Sequence, residues 1–132
     1  MHYLGILLAA IAMFALGSVW YSPVLFAKAW VRESGGDPAY KPRAQEMGRT
    51  FGGTFVLLLV CAAVLDWVIT NSAAAGEGVS HGLMVGLLAG LLATAITGIN
   101  YLFERKSRTL FLINSGYDLI GFCIMGAVLA LV

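Results

Sequence analysis

The sequence predicts an all-α membrane protein: a four-transmembrane-helix bundle with a short interfacial helix after the first span. Three observations predict it. Hydrophobic residues fill 60% of the 132 positions and charged residues only 11%, with a mean hydropathy of +0.87; an ordinary soluble domain has roughly 45–50% apolar and about 25% charged residues. Four stretches are apolar over the roughly 20 residues that a hydrocarbon core of about 30 Å requires. All eight Lys and Arg residues fall in two of the connections between those stretches. A water-soluble fold of this size would leave its surplus Leu, Ala, Val and Ile facing water, a conflict that lipid removes.

The first span is read over residues 3–21. No charge occurs from residue 3 to residue 27, and the interfacial aromatics Trp20 and Tyr21 precede Ser22-Pro23, whose proline disfavours helix at the residue before it. No Lys or Arg stands ahead of the span, so the basic region of a cleavable signal peptide is missing and the helix is expected to be retained. Residues 24–32 suit a short helix lying in the interface, with Lys28 and Arg32 on one face and Leu25, Phe26, Ala29 and Trp30 on the other. Ser34-Gly35-Gly36-Asp37-Pro38 reads as a turn, and Pro42 suits the first turn of the next helix.

The second span is read over residues 50–70, its helix beginning in water near Ala44. The third covers residues 80–103, with Ser80 as the expected N-cap, and the fourth residues 109–132, interrupted only by Asp118. Trp20, Tyr21, Trp30 and Trp67 are the candidate interfacial anchors. The connection over residues 22–49 holds Lys28, Arg32, Lys41, Arg43 and Arg49; that over residues 104–108 holds Arg105, Lys106 and Arg108. The positive-inside rule makes both connections cytoplasmic and puts both termini outside. Residues 1–132 form one transmembrane domain on this reading.

Between helices in lipid the hydrophobic effect contributes little, so association rests on close backbone approach and polar contacts. Gly82, Gly86, Gly90, Thr94 and Gly98 recur every four residues and line one face of the third span with small side chains. Such a groove serves either packing within the bundle or a seam between copies of the chain.

Asp118 is the residue most in need of explanation. It follows the second basic connection by about nine residues, roughly 13 Å into the bilayer. An ionised carboxylate there costs about 2.5–3.5 kcal/mol unless it faces protein or water, so it either carries a proton or has partners. The hairpin of spans three and four suggests the partners: Asn100 and Asn114 at matching depth, and Thr97 near the depth of Asp118. Asn100 with Glu104, and Asn114 with Asp118, are each four apart and share a face. A polar cluster of Asp118, Asn114, Asn100, Thr97 and Glu104, joined by Tyr117 or Tyr101, is either the candidate intramembrane proton or cation site or a hydrogen-bonded structural cluster that fixes helix register.

Other chemistry is not indicated. A net charge of +1 leaves no basic excess for a phosphate backbone, so no nucleic-acid partner is expected. Cys61 and Cys123 lie in apolar runs and read as small hydrophobes. His2, Asp66, Glu77 and His81 gather near the outer boundary without metal-ligand spacing and are expected to sit solvated there. No nucleotide-binding glycine loop, CxxC motif or nucleophile–base pair at matching depth occurs, so neither enzyme activity, a cofactor nor a metal is expected.

Two blocks carry a resemblance: Gly17-Ser18-Val19-Trp20-Tyr21-Ser22-Pro23-Val24-Leu25-Phe26-Ala27-Lys28-Ala29-Trp30, and Asn100-Tyr101-Leu102-Phe103-Glu104-Arg105-Lys106-Ser107 continuing through Leu110-Phe111-Leu112-Ile113-Asn114-Ser115-Gly116-Tyr117. By these the chain resembles a bacterial integral membrane family known as domain of unknown function 1761. The resemblance implies a compact bundle of about four helices in a bacterial inner (cytoplasmic) membrane, with no assigned chemistry. It also implies that histidine often occupies the position of Asp118, a second side chain that titrates.

Two functional classes fit this reading. One is a homo-oligomeric, proton-linked small-solute transporter or channel subunit, for which the small molecule or ion is not named by the sequence. The other is a non-transporting membrane scaffold that binds a partner or lipid.

Overall fold

The computed structural model describes residues 2–22, 25, 29, 32, 44–72 and 78–132. They form four helices, α1 (Tyr3–Trp20), α2 (Ala44–Asn71), α3 (Val79–Glu104) and α4 (Arg108–Leu131), and no strand among the described residues. Each is long and apolar enough to cross a membrane, α2 through its Gly48–Asn71 portion. The interfacial helix expected over residues 24–32, Trp30 with it, falls on residues of which only Leu25, Ala29 and Arg32 are described; Pro42 and Glu77 also lie outside the described residues.

The helix ends follow from local chemistry. Ser107 caps α4, its Oγ accepting from the Leu110 N–H at 3.0 Å. Arg105 closes α3 in the left-handed region at φ 57°, which lets the Lys106 N–H bond the Tyr101 carbonyl at 3.0 Å. The start of α3 corrects the expectation for Ser80. The helix begins one residue earlier, its N-cap is Gly78 at φ 76°, and Ser80 lies inside the first turn with no capping bond. The reason is conformational, since only glycine enters that backbone region freely.

The helices alternate in direction, and α1 is central to the packing. It contacts α2 on one side and α4 on the other, and α4 in turn pairs with α3; α2 touches α3 and α4 only sparsely. The core is one cluster of Ile6, Ala9, Ala10 and Met13 from α1, Leu58, Ala62 and Leu65 from α2, and Met125 and Leu129 from α4. Their three- and four-residue spacings are the signature of one buried face per helix.

The glycine face of α3 is filled by α4 of the same chain. A Cβ on Gly82 would strike the Gly126 carbonyl and one on Gly86 that of Phe122, while at Gly90 it would stand 3.1 Å from Leu119 Cα. Gly98 instead receives the Phe111 ring, 3.1 Å from its would-be Cβ. In the same register Thr94 comes level with Ser115; their hydroxyl oxygens are buried and have no hydrogen-bond partner among the described residues. Packing within the bundle is therefore what this face does in the single chain.

The two ends of the bundle differ. Around His2, Ser72, His81 and Leu131, the termini half, the core is closed. Toward Tyr21, Arg49, Arg105 and Arg108, the basic half, the exposed glycines of α2 meet no described neighbour: a Cβ on Gly48, Gly52 or Gly53 would find nothing within 4 Å among the described residues. There α2 is held to α1 by Phe14, whose ring meets Phe51 and Phe55 edge-on at 6.2 and 5.9 Å. Between 17% and 33% of each apolar window is buried within the chain, and large apolar side chains such as Leu4, Leu57, Leu92 and Leu112 stand exposed, which suits lipid rather than water.

Candidate functional site

The site grows from the basic end of α1. Trp20 donates from its indole nitrogen to the Ile113 carbonyl at 2.9 Å, and its ring lies against Gly116, where a Cβ would come within 2.7 Å of it. Tyr21, the next residue, donates its hydroxyl to Asn114 Oδ1 at 2.6 Å; Asn114 Nδ2 then donates to the Tyr101 hydroxyl at 2.6 Å. One amide thus ties α3, α4 and the end of α1 together. Tyr117 donates to the Met13 carbonyl at 3.0 Å, and its ring meets that of Tyr21 edge-on with centroids 5.6 Å apart. Lys106 Nζ lies 4.9 Å from the Tyr101 ring centroid and 3.6 Å from Glu104 Oε2, both charged side chains being about half exposed.

Asp118 sits beside this network without joining it. On α4 it shares a face with Asn114, Met125 and Leu129, the last two of which are in the core. Its carboxylate is half-buried and acts electrostatically on Tyr21, Tyr117 and Cys61, residues of the α1 end, α4 and α2. Among the described residues it forms no hydrogen bond or ion pair. The chemical reason is that each neighbouring phenol has a single O–H, and both are already committed, to Asn114 and to Met13.

The expected cluster is therefore assembled only in part. Asn114 and Tyr117 are in the network and Asp118 borders it. Asn100 is exposed, Glu104 is paired with Lys106, and Thr97 is half-buried with no side-chain hydrogen bond among the described residues. The expected depth match of Thr97 with Asp118 is corrected. The would-be Cβ of Gly90 lies 3.4 Å from the Asp118 carbonyl, so Gly90 is level with Asp118 and Thr97 is about 10 Å nearer the basic end. Glycine contact between α3 and α4 sets the register, not equal distance from the connection.

Trp20 and Tyr21 turn onto α4, whereas Trp67 stands 61% exposed at the termini end. The bond from Tyr21 to Asn114 spans 93 residues and left no signal in the sequence beyond the presence of both polar groups.

At the termini end the expectation of solvated groups is overturned for two of them. Asp66 is 5% exposed and accepts from the His2 backbone N–H at 3.4 Å; His81 is 6% exposed. His81 Nε2 meets Ser72 Oγ and lies 3.3 Å from the Ile69 carbonyl, to which Ser72 also donates at 3.1 Å. These contacts supply partners to the Ile69 carbonyl, one of those that the end of α2 leaves free. Among the described residues no three His, Cys, Asp or Glu side chains converge as metal ligands.

A groove of about 430 Å³ runs along α3 and α4 past Leu83, Leu87, Ile120, Cys123 and Leu131, and its lining is apolar. It therefore offers no polar contact to a solute.

The four spans and their outward apolar faces define a multi-pass helical membrane protein. Within that class, the chain belongs to the family described as a protein of unknown function, DUF1761, whose family model matches residues 4–130. Comparison with curated proteins and with solved structures finds no match.

Proposed function

We propose that this protein is a homo-oligomeric, proton-linked small-solute transporter or channel subunit in which Asp118 takes up and releases the coupled proton, with the basic half facing the cytoplasm. The observation that carries the reading is an intramembrane carboxylate with no partner among the described residues, on the helix face that also carries Met125 and Leu129 into the core. Ionisable groups within spans are costly, and their use is in ion pathways and proton relays. A bundle this thin, with so little of each span buried internally, gains a closed path by pairing with further copies.

A second reading, a non-transporting scaffold that binds a partner or lipid, is favoured by the Tyr21–Asn114–Tyr101 bonds, which fix three elements in one arrangement. One experiment separates the two. The purified protein is placed in liposomes holding a pH-sensitive dye, and relaxation of an imposed proton gradient is followed. The transport reading expects relaxation to slow about tenfold or more in Asp118→Asn at unchanged helix content and oligomer size. An unchanged rate in a folded variant removes it.

A further inference from the structure

We propose that the tight connection between α3 and α4 binds the headgroup of an anionic phospholipid, held by the guanidinium groups of Arg105 and Arg108. Along α4, Asp118 lies about 15 Å from Arg108, so the site stands whether or not that carboxylate moves a proton.

Depth is the first argument. Leu102 and Phe103, at the end of α3, are 80% and 86% exposed, and Leu112, in the second turn of α4, is 62% exposed. Apolar side chains left bare on spanning helices face acyl chains. Arg105 follows Phe103 by two residues and Arg108 precedes Leu112 by four, so both arginines stand about 3–6 Å along the helix axes from side chains that require hydrocarbon. The headgroup layer outside the hydrocarbon is itself roughly 5–8 Å deep on each side. Both guanidinium groups therefore lie at the level of the lipid phosphates.

Charge is the second. The three cations of this connection are not alike. Lys106 folds back on α3, its Nζ 3.6 Å from Glu104 Oε2 and 4.9 Å from the Tyr101 ring centroid. Arg105 and Arg108 are exposed, and their side chains form no hydrogen bond or ion pair among the described residues. Two uncompensated positive charges thus face the headgroup layer, where an anionic lipid neutralises them and a zwitterionic lipid, which brings its own cation, does not.

Order is the third. Arg105 closes α3 in the left-handed region and the Lys106 N–H bonds the Tyr101 carbonyl; Ser107 takes the Leu110 N–H on its hydroxyl at 3.0 Å and the Phe111 N–H on its carbonyl at 3.1 Å. The backbone carrying the two arginines is fixed at both helix ends, so a ligand does not have to order it. Each guanidinium presents paired N–H donors that match two oxygens of a phosphate.

Lipid binding tests the site. Full-length protein in neutral detergent is titrated with dioleoyl phosphatidylglycerol or dioleoyl phosphatidylcholine, and bound lipid is counted by native mass spectrometry. Phosphatidylglycerol is expected to bind about tenfold or more tightly than phosphatidylcholine. Arg105→Gln and Arg108→Gln should each weaken it about fivefold. Lys106→Gln removes the same charge from a side chain already engaged, and should weaken it less than about twofold. Glycerol phosphate, the same headgroup chemistry without acyl chains, should not displace the lipid. Equal binding of the two lipids, or a loss in Lys106→Gln as large as in the arginine variants, overturns the site; displacement by glycerol phosphate assigns it to a soluble anion and overturns the lipid. If Arg105→Gln does not fold, Arg108→Gln and the lipid preference of the native chain decide.

Discussion

The two halves of this bundle are built from the same four helices yet solve different problems. In the termini half small residues face small residues: Gly82 meets Gly126, and Ala9, Ala10 and Ala62 are fully buried. Polar groups there end in bonds, as with Asp66 to His2 and His81 to Ser72 and Ile69. In the basic half the packing is aromatic, and its midplane side holds a carboxylate that no described residue neutralises. Close approach maximises contact in lipid, where contact is the main source of helix association.

The contrast fails or sharpens under substitution. The largest effect is expected for Gly126→Leu, which drives a side chain into the Gly82 backbone. It should cost about 3 kcal/mol by reversible unfolding in mixed micelles, or abolish folding; a tolerated Leu would mean that the α3–α4 contact is not tight. Met125→Ala, at a fully buried core position, should cost about 2 kcal/mol, the low end for such truncations because lipid removes the transfer part of the penalty.

In the basic half the changes shrink and then reverse. Asn114→Leu loses two hydrogen bonds and should cost about 1 kcal/mol; amide exchange near Tyr21 and Tyr101 should quicken with it. Asp118→Leu should be neutral or stabilising, by up to about 1 kcal/mol, since it removes a half-buried charge without orphaning a partner. A loss above about 1 kcal/mol in the last case would mean that Asp118 is structural, and the difference between the halves would lose its functional meaning.

Parts of this were legible from the amino-acid order. The four spans were, because each helix satisfies its own backbone bonds and its apolar length is a local property of consecutive residues. The small-residue face of α3 announced close contact, and the shared face of Asn114 and Asp118 followed from their spacing. The expected cluster nevertheless included Asn100, Thr97 and Glu104, which the fold keeps apart from Asp118. Nor did the sequence reveal that Asp66 and His81 are buried, because their partners are a backbone amide for the one and, for the other, the Ser72 hydroxyl and the Ile69 carbonyl at the end of another helix.

Sequence alone determined that this chain lives in a membrane, how many times it crosses, and at which end its cations gather, since hydropathy and charge add up residue by residue along one strand of chain. Tertiary structure decided which helices touch, that Gly90 rather than Thr97 is level with Asp118, and that Tyr21 and Tyr117 spend their protons elsewhere. Those outcomes depend on how surfaces from distant segments interlock at van der Waals distance, and a shift of one helical turn would change every one of them without altering a single span.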